Sequence, residues 1–136
     1  MNTQTVRKLV GEAAVAARNA YAPHSKFRVG AALLTAKGMV FRGCNMENAS
    51  YGLTICAERA AFAAAIATGE RKFKALAIVA ADAKAAYPCG ACLQVMAEFC
   101  GPDFPIWLGG KGNLKKATAC RLKDLLPKAF RFKKRA

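Results

Sequence analysis

Two short stretches of the chain carry the residue types from which a metal site can be built. The first is CAER at 56–59, and the second is PCGAC at 88–92. Two cysteines three positions apart, at the start of a predicted helix, can direct both sulfurs at one ion. A third thiolate from Cys56, at the start of another predicted helix, would complete a three-sulfur site. Three protein ligands and an open position are typical of catalytic zinc, whereas four ligands are typical of structural zinc.

The residues beside Cys56 suggest what such a site could do. Glu58 lies two positions further on and could face the open zinc position without binding the ion. A carboxylate there can take a proton from water and pass it on. Arg59 could donate a hydrogen bond to a sulfur and offset its negative charge. Both helix starts would lower the pKa of the thiols through their partial positive charge.

Spacing alone leaves other interpretations of the cysteines open. A Cys-x-x-Cys step also occurs in redox sites and in structural zinc sites. Cys44 or Cys100 could supply a fourth sulfur and close the site, and Cys56 could simply belong to the core. The only histidine is His24, so a zinc site in this chain must consist almost entirely of sulfur. The combination with Glu58 favours the arrangement of zinc deaminases, with cysteine in place of histidine.

The composition is that of a globular protein without a membrane partner. The chain has 136 residues, 54% of them hydrophobic. No apolar run reaches the roughly 18–20 residues that span a bilayer. The first eight residues lack the apolar segment of a signal peptide, so we expect a cytoplasmic location, where thiols stay reduced.

The charge is unusually positive. Lys and Arg number 22 against 8 Asp and Glu, which gives a net charge of +14. The basic residues are scattered, with clusters at 71–74, 115–116 and 128–135. Such a balance could serve a polyanion, but no recognisable nucleic-acid motif contains these residues. We therefore favour a general surface property, with nucleic-acid binding possible but not expected as the main role.

Hydrophobic periodicity predicts the elements that must position the two stretches. Helices are predicted over 3–20, 56–68, 89–100 and 121–126, and strands over 27–35, 39–45, 75–80 and 105–108. Thr3 or Thr5 is the predicted N-cap of the first helix, and Gly69 is the predicted C′ residue of the second. This order predicts a mixed sheet with helices on its faces. We expect one α/β/α domain over residues 1–136, with a basic tail from about residue 128.

Four separated motifs resemble those of short-form cytidine deaminases, and the resemblance extends over nearly the whole chain. They are YAPHSKFRVGAAL at 21–33, GCNMENA at 43–49, TICAER at 54–59 and PCGAC at 88–92. The resemblance implies a three-layer α/β/α sandwich with a mixed five-stranded sheet. It also implies a hydrolase of pyrimidine salvage that deaminates the nucleosides cytidine and 2′-deoxycytidine. Family members of this length are typically homotetramers whose pockets are completed by neighbouring chains.

The resemblance assigns roles at the metal. It implies Cys56, Cys89 and Cys92 as the ligands of one zinc ion (Zn2+) per subunit. It implies Glu58 as the proton shuttle. Three thiolates donate charge to the ion and should blunt its effect on the pKa of bound water.

The resemblance also assigns roles around the substrate. Asn45 and Glu47 would hold the ribose hydroxyl groups, Phe27 would stack on the pyrimidine, and the Ala57 backbone N–H would recognise the base carbonyl. Phe130 matches a C-terminal aromatic position that could reach a neighbour's pocket. Each has a plainer alternative: a solvated turn for Asn45-x-Glu47, ordinary core packing for Phe27, and packing on its own domain for Phe130.

Some features depart from the family's pattern and keep other functions open. Leu93 stands where a basic residue is common, His24 where tyrosine is frequent, and the loop at 81–87 lacks the usual proline and glycine. A deaminase of cytosine in RNA or DNA fits the charge, although the ribose motif favours a nucleoside; a nucleoside-like antibiotic is another possible substrate. A non-catalytic, zinc-stabilised nucleic-acid-binding module would instead have a closed four-sulfur site and salt-sensitive binding.

Overall fold

Helices and strands follow one another along the chain much as the periodicity predicts. The computed structural model describes residues 1–132; the end of the predicted basic tail, 133–136, lies outside the described residues. The helices are α1 (Thr3–Ala17), α2 (Ala57–Ala67), α3 (Gly90–Phe99) and α4 (Leu122–Leu125). The strands are β1 (Val29–Thr35), β2 (Val40–Cys44), β3 (Phe73–Ala80), β4 (Pro105–Gly110) and β5 (Thr118–Arg121). Short 3₁₀ turns occupy Tyr51–Leu53 and Leu114–Lys116.

The five strands form one mixed sheet in the order β2-β1-β3-β4-β5. β1 pairs antiparallel with both β2 and β3, and β4 pairs antiparallel with β5. β3 and β4 are parallel, and α3 makes the crossover between them. This topology confirms the predicted α/β fold with a mixed five-stranded sheet.

Both faces of the sheet are buried because successive side chains of a strand point in opposite directions. In β1, Ala31 and Leu33 belong to one hydrophobic cluster, and Ala32 and Leu34 belong to another. α1 packs on the face of Ala32 and Leu34, whereas α2 and α3 pack on the other face. The two helices that carry the cysteine motifs therefore lie side by side in one layer.

The ends of α1 differ from the prediction. Its N-cap is Asn2, whose Oδ1 accepts a hydrogen bond from the Thr5 N–H at 2.8 Å, rather than Thr3 or Thr5. The α-helix ends at Ala17, not at residue 20. The next three N–H groups bond to carbonyl oxygens three positions back, which tightens the last turn into 3₁₀ geometry. The predicted C′ role of Gly69 is confirmed by its φ of +95°.

The edges of the sheet also differ from the prediction. β5 was not predicted, because its four residues are mostly exposed and show no apolar alternation. β4 continues through Gly109 and Gly110, which were expected to be loop, and β3 begins at Phe73. In each case pairing with a neighbouring strand extends a segment whose own sequence gives no strand signal. None of the helices within residues 1–132 combines the length and the apolar character needed to cross a membrane.

Candidate functional site

Three cysteine sulfurs meet where α2 and α3 begin. Cys56 Sγ lies 3.9 Å from Cys89 Sγ, which lies 3.6 Å from Cys92 Sγ. All three sulfurs lie within 4.8 Å of one another. A tetrahedral zinc ion with thiolate sulfurs at about 2.3 Å spaces those sulfurs by about 3.8 Å. The donor set and its spacing therefore fit zinc.

Each of these helices begins immediately after a cysteine. Cys56 is the N-cap of α2 and Cys89 is the N-cap of α3, and neither side chain caps its helix through a hydrogen bond. The sulfurs stay available to a metal, while the first N–H groups of each helix provide a positive field that favours thiolate. The third residue after each N-cap, Arg59 in α2 and Cys92 in α3, approaches the sulfur of its own N-cap at 3.6 Å.

No fourth sulfur joins the cluster within residues 1–132. The cluster contains neither Cys44 nor Cys100. Cys100 lies at the other end of α3, where burial raises the pKa of its thiol to about 12. The alternative of a closed four-sulfur site is therefore wrong for the described part of the chain.

The three thiols are not electrostatically equivalent. The neighbouring Cys92 thiol and the Arg59 guanidinium lower the pKa of the Cys56 thiol to about 5. Contact with Cys56, together with burial, raises the pKa of Cys92. Cys56 is thus the first of the pair to become a thiolate, and a bound cation would favour the thiolate form of both.

Glu58 is a buried carboxyl group directly beside the sulfurs. It lies in the first turn of α2 and is only 5% exposed. Removal from water is the main cause that raises the pKa of Glu58 above its usual value, and the charge of Cys56 adds to the effect. A carboxyl group with a raised pKa can both accept and return a proton near neutral pH.

Arg59 links the metal cluster to the preceding turn. Its Nη2 donates to the Thr54 carbonyl oxygen at 3.1 Å and approaches Cys56 Sγ at 3.6 Å. The cation therefore lies against the sulfur with the lowered pKa. This contact offsets part of the negative charge that three thiolates would concentrate.

Asn45, just after β2, fixes the backbone on either side of Arg28. Its Oδ1 accepts from the Val29 N–H at 2.8 Å, and its Nδ2 donates to the Phe27 carbonyl oxygen at 2.8 Å. Phe27 is partly buried and packs against the cluster that contains Ala57 and Cys92. Asn45 thereby sets the position of Phe27, and one hydrogen of its amide group is left for another acceptor.

Glu47 fixes the segment before Phe27. Its carboxylate accepts from the backbone N–H groups of His24 and Ser25, at 2.9 and 3.1 Å, and from the Ser25 hydroxyl group. The hydrogen bond from that hydroxyl is the main cause that lowers the pKa of Glu47. Asn45 and Glu47 therefore bind the same loop, although sequence reasoning considered them only as ribose ligands or as a solvated turn.

The loop that leads into Cys89 is attached at two points. Asp82 accepts two hydrogen bonds from the Arg28 side chain, at 3.2 and 2.9 Å, and one from its backbone N–H at 2.9 Å. The Arg28 guanidinium lowers the pKa of Asp82 to about 2. Further along, Asn113 Nδ2 donates to the Lys84 carbonyl oxygen at 2.9 Å. These attachments supply order in the alanine-rich loop that lacks proline and glycine.

Ser25, Asp82 and Asn113 were not singled out in the sequence. The only local signal for Ser25 is its place two residues before an aromatic, in a turn where Lys26 adopts a φ of +60°. Asp82 and Asn113 contact residues 54 and 29 positions away, which no local pattern indicates. These contacts depend on the folded sheet.

An exposed apolar rim borders the site. It consists of Tyr21, Met46, Tyr51, Leu53 and Ile55, which are between 37% and 77% exposed. Backbone bridges join Tyr21 to Met46 and Met46 to Ile55, so three of the five are direct neighbours. Ile55 precedes Cys56, which places the rim next to the cysteine cluster.

Phe130 is held by its backbone rather than by its ring. Its carbonyl oxygen accepts from Gln94 Nε2 at 2.8 Å, and the next residue, Arg131, donates to the carbonyl oxygen of Cys100 at 3.1 Å. The Phe130 ring is 66% exposed and contacts the exposed ring of Phe132. The chain is thus anchored on α3 while the ring faces outward.

Comparison with known proteins identifies the same type of site. The family model for the cytidine and deoxycytidylate deaminase zinc-binding region matches residues 3–107. A cytidine deaminase of Sporosarcina psychrophila is 49% identical over 126 residues, which are 92% of this chain and 90% of that protein. A cytidine deaminase of Mycobacterium tuberculosis is 45% identical over 90% of this chain and 86% of that protein.

Solved structures agree with the sequence comparison. The crystal structure of cytidine deaminase from Burkholderia pseudomallei superposes with a TM-score of 0.85 at 46% identity, covering 90% of this chain and 97% of that one. The structure of cytidine deaminase from Mycobacterium tuberculosis gives a TM-score of 0.79 at 44% identity, covering 92% of this chain and 96% of that one. The family match over residues 3–107 includes both cysteine-bearing helices.

Proposed function

The chain belongs to the cytidine and deoxycytidylate deaminase family, and from that premise we propose that it is a cytidine deaminase. It would hydrolyse cytidine and 2′-deoxycytidine to uridine and 2′-deoxyuridine with release of ammonia, a reaction of pyrimidine salvage. The observation that carries the proposal is the placement of three sulfurs at zinc-like spacing beside the buried carboxyl group of Glu58. A nucleic-acid-binding module has no need of a buried acid there.

We assign Cys56, Cys89 and Cys92 as the ligands of one zinc ion per chain. When bound, the ion supplies a lowered pKa for water and hence a nucleophile near neutral pH. Arg59 keeps Cys56 in its thiolate form and limits the negative charge of the ligand set. The helix starts at Cys56 and Cys89 fix the directions in which two of the sulfurs point.

Glu58 moves the protons of the reaction. It takes a proton from the attacking water and delivers it to N3 of the pyrimidine while the water oxygen bonds to C4. It then transfers the second proton to the amino group, the C4–N bond breaks, and ammonia leaves. The raised pKa of Glu58 helps the carboxyl group to hold a proton between the two transfers.

Four residues would place the nucleoside. Phe27 stacks on the pyrimidine ring, and Ala57, the first residue of α2, offers a backbone N–H to the base carbonyl because the helix itself does not use that group. Asn45 and Glu47 bind the ribose hydroxyl groups with the donor and acceptor capacity that their loop contacts leave free. The same two residues fix the loop before the stacking ring, so one set of contacts orders both base and sugar.

The chain would assemble with copies of itself, as a homotetramer. The exposed rim of Tyr21, Met46, Tyr51, Leu53 and Ile55 supports this proposal, because contiguous apolar surface beside a site is typical of an interface. The outward ring of Phe130 could enter a neighbour's pocket. A Leu53→Asp substitution is expected to convert the assembly to smaller species in light scattering, whereas a wild-type monomer would contradict the proposal.

The remaining proposals concern the cellular location of the protein and the bounds of its catalytic domain. Six free cysteines, three of them ligands, need a compartment that keeps thiols reduced, so we propose a cytoplasmic location. We also propose that residues 1–136 form one catalytic domain. Both follow from the site as described and from the family's extent along the chain.

Three substrates test the proposed function. Cytidine, 2′-deoxycytidine and a cytosine-containing oligonucleotide are each incubated with zinc-loaded protein, and ammonia release is measured. The proposal expects turnover of the two nucleosides. Turnover of the oligonucleotide alone would replace it with a nucleic-acid deaminase. No turnover of any substrate, with one zinc bound per chain, would favour a non-catalytic module.

A further inference from the structure

The deaminase site does not account for the net charge of +14, and the structure shows where part of that charge is concentrated. Five basic side chains lie on or beside the first half of α1: Arg7 and Lys8 belong to the helix, and Lys74, Lys115 and Lys116 line the grooves next to it. All five residues are exposed. We call this set the α1 basic surface. It lies on the α1 side of the sheet, opposite the layer that holds the cysteine cluster.

The α1 basic surface consists of two grooves, one on each side of the helix. Arg7, Lys115 and Lys116 line a groove of about 200 Å³ whose floor includes Trp107. Lys8 and Lys74 line a groove of about 350 Å³ on the other side. Positive charge therefore follows both flanks of α1 rather than converging on one point.

The acidic residues lie elsewhere. Within residues 1–132, none of the five cations is within 4.0 Å of a carboxylate. Four of the eight acids form ion pairs with other cations: Glu12, Glu70, Asp82 and Asp103. Two belong to the deaminase site, Glu47 and Glu58. Asp124 lies at the start of α4, and Glu98 lies on α3. Glu12 lies on α1, four residues after Lys8, but it pairs with Arg42. Asp103 and Asp124 line a neighbouring groove together with Met1 and Trp107.

This concentration of charge does not help the fold. Arg7 and Lys8 lie in the second turn of α1, and the first turn contains no acidic residue that would offset their charge. Lys115 and Lys116 add like charge across a narrow groove. Uncompensated like charges destabilise a compact state by repulsion. A partner that brings negative charge would relieve this repulsion.

We propose that the α1 basic surface binds single-stranded nucleic acid through its phosphate groups. A flexible strand can follow both flanks of the helix and place successive phosphates against five separated cations. An anionic membrane fits less well, because Met1 and Leu114 are the only exposed large apolar side chains that line the two grooves in the described chain. The proposal concerns a surface away from the cysteine cluster and does not depend on the chemistry at that cluster.

The test uses a strand that the deaminase site cannot process. A fluorescently labelled oligouridylate of 20 nucleotides contains no cytosine. Its binding is measured by fluorescence anisotropy between 50 and 300 mM salt. Four to five phosphate contacts predict a slope of log K against log salt of about −3. Lys115→Ala combined with Lys116→Ala is expected to reduce the steepness of that slope by about 1.4 and to weaken binding at 50 mM by about tenfold or more.

A matched control removes the same amount of charge from elsewhere. Lys37 pairs with Glu70 and Lys123 pairs with Asp103, so Lys37→Ala combined with Lys123→Ala changes the net charge equally. This control should leave the slope unchanged. Lys133→Ala combined with Lys134→Ala tests the terminal tail in the same way. Cytidine turnover should be unaffected in all three pairs, which shows that each variant is folded and keeps the deaminase result separate.

Several results would overturn the proposal. If the Lys115/Lys116 and Lys37/Lys123 double variants weakened oligouridylate binding equally, binding would depend on net charge and not on the α1 basic surface. Dependence on Lys133 and Lys134 alone would move binding to the tail. Failure to bind oligouridylate at 50 mM salt would reject nucleic acid, and binding to phosphatidylserine vesicles in its place would identify a membrane surface.

Discussion

Gly43 of β2 lies directly beneath the first turn of α2, against the backbone of Ala57. A β-carbon on Gly43 would stand 2.4 Å from the Ala57 carbonyl oxygen and 2.4 Å from the Ala61 nitrogen. No side chain fits there without moving the helix. The absence of a side chain at residue 43 therefore sets the depth at which α2 places Cys56 and Glu58 relative to the sheet.

Gly43→Ala should displace the start of α2 and weaken the whole site. The clash involves helix backbone, which cannot rotate away as a side chain could, so the free energy of unfolding should fall by about 1–3 kcal/mol or more. Zinc should also dissociate faster into a chelator. Gly11→Ala is the control, because a β-carbon there meets nothing within 4 Å and alanine favours a helix. Wild-type stability and zinc retention in Gly43→Ala would contradict this account.

The Arg28–Asp82 pair predicts a pH-dependent stability. The pKa of Asp82 is lowered from 3.8 to about 2 in the folded chain, so the pair stabilises the fold above about pH 4 and this contribution is lost as the pH falls towards 2. Urea unfolding should therefore show wild type more stable than Asp82→Asn by a constant amount from pH 5 to 8. The difference should close below pH 4. Loss of zinc in acid affects both proteins and cancels in the comparison. A difference that persists at pH 2 would point to packing instead.

The ribose assignment can be separated from loop positioning with a substrate that lacks the hydroxyl groups. Wild type should prefer cytidine to 2′,3′-dideoxycytidine in kcat/KM. If Asn45 and Glu47 bind the hydroxyls, Asn45→Ala and Glu47→Gln should each reduce that preference by about tenfold or more. Asn19→Ala, at an exposed position just after α1, serves as the control. Equal losses on both substrates would show that the two residues only hold the loop at 24–29.

Removal of zinc should loosen the junction of α2 and α3. Both helices begin at a ligand, so the ion holds together two segments that otherwise meet through few contacts at those ends. A strong chelator should lower the Tm by about 10 °C, and Cys92→Ser should lower it similarly without chelator. Cys44→Ser, outside the cluster, should keep the wild-type response. A Tm that is independent of chelator would contradict a zinc site.

Local patterns in the sequence were sufficient for the metal cluster and for most of the fold. Cys56 and Cys89 could be placed because helix starts are signalled by nearby residues, and their convergence follows once both helices cover the same face of a sheet. The short apolar run at 75–80 likewise predicted a strand, which β3 confirms. These features depend on residues close together in the chain.

The rest depends on partners that are distant in sequence. β5 forms because Thr118–Arg121 pairs with β4, although its own residues are exposed. The Arg28–Asp82 ion pair requires the pairing of β1 with β3. The hydrogen bond from the Ser25 hydroxyl group to Glu47 requires two separate loops to lie against each other. The double use of Asn45 and Glu47 could not be inferred from a motif, because a motif names a residue type and not its contacts.

The role of Glu58 offers the most direct test of the central claim. Zinc content and kcat for cytidine are measured on purified wild type, on Glu58→Gln and on Glu98→Gln, which changes an exposed acid of the same type on α3. The account predicts one zinc per chain in all three, full activity in Glu98→Gln, and a kcat lowered by about 10²–10⁴ in Glu58→Gln because the proton path is broken. A Glu58→Gln protein with full zinc and wild-type kcat would contradict it.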